Sequence, residues 1–428
     1  MRTILITGAT CLLLTCTAQA QFLDRIKNKV QNKVNDAIDK TIDNAGKKKD
    51  GSTGSGSPTE TTKEDPSSSE GTSASGGGGG VNADIKSYSK FDFIPGAKII
   101  VQEDFSQDAI GDFPAQWNTR TGAEVVTVSN QPGKWLSLKQ DGIFFPEYIT
   151  SNFPENFTLQ MDVMANNNVS NIGSFTIGLL QTKDAEEKFE MRPADYSTTS
   201  PSFKLTLNPL SSGYGSLYYS TNLIGAQSHS NVPEFNIPRK NFVTVSIWRQ
   251  KQRVRVYLDS TKTLDLPRAL DATAVLNSLV LSAYAPDFDG KGGAFYVSNI
   301  RLAVGAPDTR NKLITEGKFV THGILFDVNS DKILAASYGS LQDIANVLKE
   351  NASVRIKIIG HTDADGDEKL NLDLSKRRAA AVKEALSKDF GIDASRMETD
   401  GKGKTQPIDN NTTPAGKANN RRVEFVKL

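Results

Sequence analysis

The chain has 428 residues, room for two or three domains that each bury a core. Its 50 Lys and Arg stand against 49 Asp and Glu, a formal charge of +1, which excludes the basic surplus of a nucleic-acid binder. Both cysteines, Cys11 and Cys16, fall in the first twenty residues, so if that stretch is removed the remainder has neither disulfides nor a Cys-ligated metal.

Residues 1–20 carry a charged start at Arg2, an apolar run from Ile4 to Leu14, and Ala18-Gln19-Ala20. This is the pattern of a secretory signal cleaved after Ala20. It predicts an exported protein, in the periplasm or on the periplasmic face of the outer membrane. Thr15 is a poor residue to precede a lipidated Cys16, so lipidation is the lesser alternative. Arg2 is the only basic residue of this leader, and its loss leaves 49 basic residues against 49 acidic ones.

Residues 21–46 place Phe22, Ile26, Val30, Val34, Ile38 and Ile42 at every fourth position. The spacing predicts an amphipathic helical segment with one narrow apolar stripe, stopped at Gly46. Docking of residues 22–45 on the outer membrane or on a partner helix is one reading, and a weak helix that frays is the other. Residues 47–84 are Gly, Ser, Thr, Pro and charge, including Gly76 to Gly80. They read as a disordered linker spanning on the order of 30 to 40 Å.

Residues 87–306 are predicted to be an all-β domain. Alternating segments occur near 126–130, 157–165, 174–180, 203–208, 242–248, 253–259 and 294–304, separated by Gly, Pro and Asn turns, with no long helical pattern. The segments WRQKQRVRVYLDSTKTLDLPRAL and FYVSNIRLAVG resemble the laminin-G or concanavalin-A-like jelly roll, which implies a β-sandwich. An outer-membrane barrel is the alternative, but its strands need unbroken lipid-facing apolar sets of about ten residues. Trp117, Trp135 and Trp248 either pack in the core or stack on a bound glycan. The paired carboxylates of a glycoside hydrolase are missing from these strands, so no catalytic residue is assigned.

Residues 311–428 form the last predicted domain. Val354, Ile356 and Ile358 alternate with Arg355 and Lys357 in a strand over 353–359 that ends at Gly360. Ala379, Val382, Ala385 and Leu386 then recur on one face of a helix. Asp363 thus follows a strand end, and Arg378 is expected in the first turns of that helix. A carboxylate and a guanidinium converging there suit a ligand with an ammonium and a carboxylate, such as an amino acid. The same two residues equally suit a salt bridge to each other.

Four motifs in order, ILFDVNSDKILAASYGSLQDIANVLKE, IKIIGHTDADG, NLDLSKRRAAAVKEAL and GKGKTQPIDNNTTPAGKANNRRVEF, resemble the OmpA-like peptidoglycan-binding domain. The resemblance implies an α/β fold and non-covalent binding of peptidoglycan through the diaminopimelate of its stem peptide. Carried over by motif, Asp363 and Arg378 are the residues that grip it, with Thr362 and Asn371 as further contacts.

Asp363, Asp365 and Asp367 alternate like calcium ligands, but Glu368 and Leu374 occupy positions that such a loop reserves for Gly and Glu, so no metal is assigned. His361 reads as a structural residue at a strand end. Asn420-Arg421-Arg422 reads as a polar anchor opening a last strand over 423–428.

The sequence therefore predicts a multidomain, non-catalytic envelope protein: a disordered N-terminal tether, a jelly-roll-like β-sandwich, and an α/β OmpA-like domain of strand, helix, strand, helix and two strands. Its expected partner is peptidoglycan, with no cofactor and no nucleic acid. A glycan-binding or glycan-hydrolysing sandwich parked at the wall, or a barrel with a periplasmic anchor, are the alternatives.

Overall fold

The computed structural model describes residues 91–166, 172–209, 214–237, 239–287, 290, 292–305 and 308–428. The expected signal, helical segment and linker, residues 1–84, lie outside them.

The first part is strand-rich, as its Val, Ile, Phe and Thr alternation requires. β1 (Lys98–Glu103), β2 (Trp117–Thr119), β3 (Ala123–Val126), β4 (Trp135–Leu138) and β5 (Gly142–Pro146) come first. β6 (Asn156–Ala165), β7 (Ser174–Leu180) and a short helix, α1 (Ala185–Phe189), follow. Then come β8 (Ser202–Asn208), β9 (Gly215–Thr221), β10 (Gln227–Val232) and β11 (Phe242–Gln250). β12 (Arg253–Leu258), β13 (Thr261–Leu266), β14 (Ser278–Tyr284) and β15 (Phe295–Val304) complete the set. The strand expected at 126–130 ends instead at Val126, because Asn130 adopts a left-handed φ of 64° in a turn closed by Gln131 N to Val128 O.

Two antiparallel sheets result, ordered β13-β12-β11-β6-β15-β4-β3, with β1 also on β15, and β10-β9-β8-β7-β14-β5-β2. Leu159, Val163, Val245 and Val297 of the first share one apolar core with Ile177, Leu205 and Leu281 of the second. Phe175 and Phe295 meet across the gap with ring centroids 5.8 Å apart. These apolar faces turn toward each other, and neither sheet closes on itself among the described residues, the reverse of a barrel with an outward apolar band. Trp117, Trp135 and Trp248 are all buried, which removes them as sugar-stacking platforms.

The C-terminal part contains β16 (Lys318–Thr321), α2 (Tyr338–Glu350), β17 (Ile356–His361), α3 (Glu368–Lys388), β18 (Met397–Gly403), α4 (Pro414–Asn420) and β19 (Val423–Lys427). Its sheet runs β16-β19-β17-β18, with β17 and β18 parallel. Ala379, Val382 and Leu386 of α3 pack on Ile356, Ile358 and Phe425, the stripe expected from the sequence. Two expectations change. β17 begins at Ile356 and runs to His361, and a helix, α4, stands between the last two strands.

The two parts abut. The free edge of β1 is met by Asn419, whose Oδ1 accepts from Ile99 N at 3.0 Å and whose Nδ2 donates to Ile99 O at 2.9 Å. Arg301 of β15 donates to His322 O at 2.9 Å, and His322 Nε2 donates to Asn419 O at 2.9 Å. An open sheet edge is thereby covered, which removes a template for pairing with other chains.

Candidate functional site

Two glycines set where the site forms. A Cβ on Gly360 would lie 2.2 Å from Ser375 O, and one on Gly401 would lie 2.4 Å from Lys376 N. Only glycine therefore lets α3 lie so close to the ends of β17 and β18. Ser375 Oγ fastens the contact, accepting from Gly403 N at 2.9 Å and donating to Leu372 O at 2.8 Å. The loop from Thr362 to Asp367 crosses from β17 to α3, and Asp367 caps the helix by accepting from Lys369 N and Leu370 N at 2.9 and 3.0 Å.

Asp363 is buried in this loop. Its Oδ1 accepts from Asp365 N at 3.1 Å and its Oδ2 from Arg421 Nη1 at 2.6 Å. Arg378 sits halfway along α3, not in its first turns as expected. Its Nε donates to Ser330 O at 2.9 Å, its Nη2 reaches Asp327 O at 3.4 Å, and its guanidinium lies 4.8 Å over the Phe326 ring. Nη1 has no hydrogen bond among the described residues. Asp363 and Arg378 make no ion pair with each other. The salt bridge that the sequence suggested between them is taken by Arg421 instead.

Burial pushes the Arg378 guanidinium below its ordinary pKa; nearby Arg421 and Arg377 push the same way, while Asp363 and Asp331 oppose them. The charges of Arg378 and Arg421 act on each other, an arrangement that favours an anion, and the buried Asp363 carboxylate paired to Arg421 favours a cation. The arrangement suits a ligand bearing both charges.

The other two expected residues serve the loop. Thr362 donates its hydroxyl to Asp363 O at 2.9 Å and its amide to Gly403 O at 3.0 Å. Asn371 Nδ2 donates to Asp365 O at 2.7 Å, holding the loop against α3. The three alternating aspartates diverge, with Asp365 paired to Lys417 at 2.8 Å, and no cluster of metal-ligating side chains occurs among the described residues.

Beneath the site, Arg422 Nε and Nη2 donate to Glu424 Oε1 at 2.9 and 2.7 Å, and Lys318 reaches Glu424 Oε2 at 2.6 Å. Burial raises the Glu424 pKa, but the nearby His361 ring and the cations Lys318 and Arg422 outweigh it and hold the carboxyl well below its usual range. The His361 side chain is fully enclosed, 3.5 Å from Glu424. Arg422 is thus the polar anchor of β19 and Asn420 ties the preceding loop through Asp409 O at 2.9 Å. Arg421, expected to share that role, points its charge to Asp363 instead. Its only signal in the sequence is its phase, one residue out of step with Arg422 and Glu424.

The model of the OmpA family matches residues 325–421, so an OmpA family domain occupies the C-terminal part. Over 105 residues, 24% of this chain and 48% of the relative, the sequence is 43% identical to the probable lipoprotein YiaD of Escherichia coli. It is 37% identical over 103 residues to the outer-membrane lipoprotein YfiB of Pseudomonas aeruginosa, covering 24% of this chain and 61% of that protein. It is 39% identical over 108 residues to the peptidoglycan-binding protein ArfA of Mycobacterium bovis, covering 25% and 33%. The chain spans under two thirds of the length of each of these relatives.

Proposed function

We propose that the protein is a non-catalytic component of the cell envelope that holds peptidoglycan non-covalently by its stem peptide. The observation that carries this is the buried carboxylate of Asp363, ion-paired to Arg421 and within electrostatic reach of the Arg378 guanidinium. The zwitterionic end of diaminopimelate fits that pairing, its ammonium on Asp363 and its carboxylate on Arg378 Nη1, while Thr362 and Asn371 hold the loop in shape. The carboxylate of Asp363 has lone pairs left for an ammonium while Arg421 stays in place. The name of ArfA supports peptidoglycan as the ligand class, and the names of outer-membrane relatives support the envelope as the location. The two-sheet unit, which we read as a jelly-roll-like sandwich, rides on this attachment.

Co-sedimentation of the whole chain with purified peptidoglycan tests the reading. Wild type is expected to pellet with peptidoglycan containing diaminopimelate and not with material carrying lysine in its place, which lacks the second carboxylate. Asp363→Ala should weaken binding by about thirtyfold or more, since it strands one ligand charge in a partly desolvated site. Equal pelleting with both peptidoglycans would overturn the assignment.

A further inference from the structure

A cleft of about 230 Å³ opens between the C-terminal domain and the two-sheet unit, lined in part by Arg421, the ion-pair partner of Asp363. Asp365, Lys417 and Arg421 line one wall, and Asp104, Ser106 and Gln107 line the other. Arg421 belongs to both places, since it lines the cleft while ion-paired to Asp363 at 2.6 Å. The cleft is therefore a continuation of the zwitterion site.

The far wall is held in a set shape. Phe105 adopts a left-handed φ of 54°, uncommon for a bulky residue, with its ring fully buried 5.7 Å from that of Trp117. Glu103 fixes the turn from below, its carboxylate accepting from Phe105 N at 3.0 Å and from Trp117 Nε1 at 3.2 Å. Lys134 Nζ donates to Ser106 O at 3.1 Å. The bonds of Asn419 to Ile99 keep this wall in register with α4.

The charges across the cleft are complementary to a chain end. Lys417, paired to Asp365 at 2.8 Å, and Arg421, paired to Asp363 at 2.6 Å, supply the cations on one side, each with N–H donors left for a second anion. On the other, the Asp104 carboxylate accepts from Ser106 N at 3.0 Å and has no ion-pair partner among the described residues. A peptide amide N–H facing Asp104 and Gln107, with its carboxylate facing Lys417 and Arg421, satisfies both walls. The volume lies below the roughly 300 to 1,000 Å³ of pockets that enclose drug-sized ligands, a size for one or two amino-acid residues.

We infer that the stem-peptide site is completed by the two-sheet unit: Asp104 and Gln107 contact the residue that follows diaminopimelate, and the cleft selects peptides that continue beyond it. This rests on the peptidoglycan reading. Calorimetric titration of the full chain with two soluble stem peptides tests it, one stopping at diaminopimelate and one extended by a single residue with a free carboxylate. Wild type is expected to bind the extended peptide about tenfold more tightly, the worth of one charge-assisted hydrogen bond. Asp104→Asn, which keeps an acceptor for Ser106 N, and Gln107→Ala should each cut that preference and leave the shorter peptide's affinity unchanged. Equal affinity of wild type for both peptides, or a preference untouched by either variant, overturns the inference and leaves the diaminopimelate reading standing. Failure of wild type to bind either peptide overturns both.

Discussion

Arg378 and Arg421 differ in what fixes them, and this separates their expected contributions. Arg378 spends Nε and Nη2 on the carbonyls of Ser330 and Asp327, leaving Nη1 for a ligand. A lysine has a single nitrogen and no planar fork, so Arg378→Lys is expected to weaken peptidoglycan binding at least tenfold in co-sedimentation at moderate salt. Arg421→Ala should weaken it by about tenfold, and less than Asp363→Ala, because it removes the partner of a carboxylate and not the carboxylate proposed to take the ammonium. Asp365→Ala should stay within about threefold of wild type, since the Asp365 side chain is 65% exposed and its pair with Lys417 is a surface one. Losses of equal size at Asp363 and Asp365 would indicate general charge attraction. Asp363 and Arg378 were legible as candidates because their motifs are local. Arg421 was not, because it lies 58 residues from Asp363 and only the sheet brings β19 beside β17.

The helix packed on the strand ends sets the site's geometry. Gly360→Ala forces a methyl against Ser375 O, a backbone atom that can move only if α3 moves. The expected cost is about 1 to 3 kcal/mol, read as a lower urea midpoint with an unchanged slope, together with weaker peptidoglycan binding. A midpoint equal to that of wild type would mean that α3 does not rest on Gly360. Strands with strong alternation were readable from their residues, as at 174–180. β10, of sequence QSHSNV and almost wholly exposed, was not, since an edge strand needs little apolar patterning. α4 was missed because seven residues rich in Gly and Asn have weak helix propensity. Its cap was nevertheless written out, with Thr413 accepting from Gly416 N at 3.1 Å and Pro414 at the first helical position.

At the scale of the whole molecule, the contact between the two parts carries a titrating group. Burial and the neighbouring Arg301 lower the His322 pKa to about 4, from 6.5. A folded-state pKa below the unfolded one means that the unfolded chain takes up the proton first. The His322 contribution is therefore fully present above about pH 6.5 and is lost as pH falls toward 4, up to about 3 kcal/mol in all. Arg301, which burial lowers only to about 10, keeps its charge through this window, so His322 is the partner that titrates. Melting temperature should fall between pH 7 and pH 5 in wild type, and fall less in His322→Gln, which retains a donor for Asn419 O. Parallel pH profiles for the two proteins would show that the junction does not respond to His322.

The class of each part is written in local residue patterns. Period-two segments specify sheets wherever one face is buried, and the strand, glycine, aspartate and helix order places a carboxylate at a strand end, because those are short-range consequences of backbone geometry. Which charge answers Asp363, that α4 covers the edge of β1, and that Asp104 stands across a cleft from Arg421 all depend on the folded arrangement. Each of these joins residues far apart in the chain, 320 positions in the case of Ile99 and Asn419. Periodicity carries no information about such pairs; they follow from which sheet edges and helix ends the packed cores bring together.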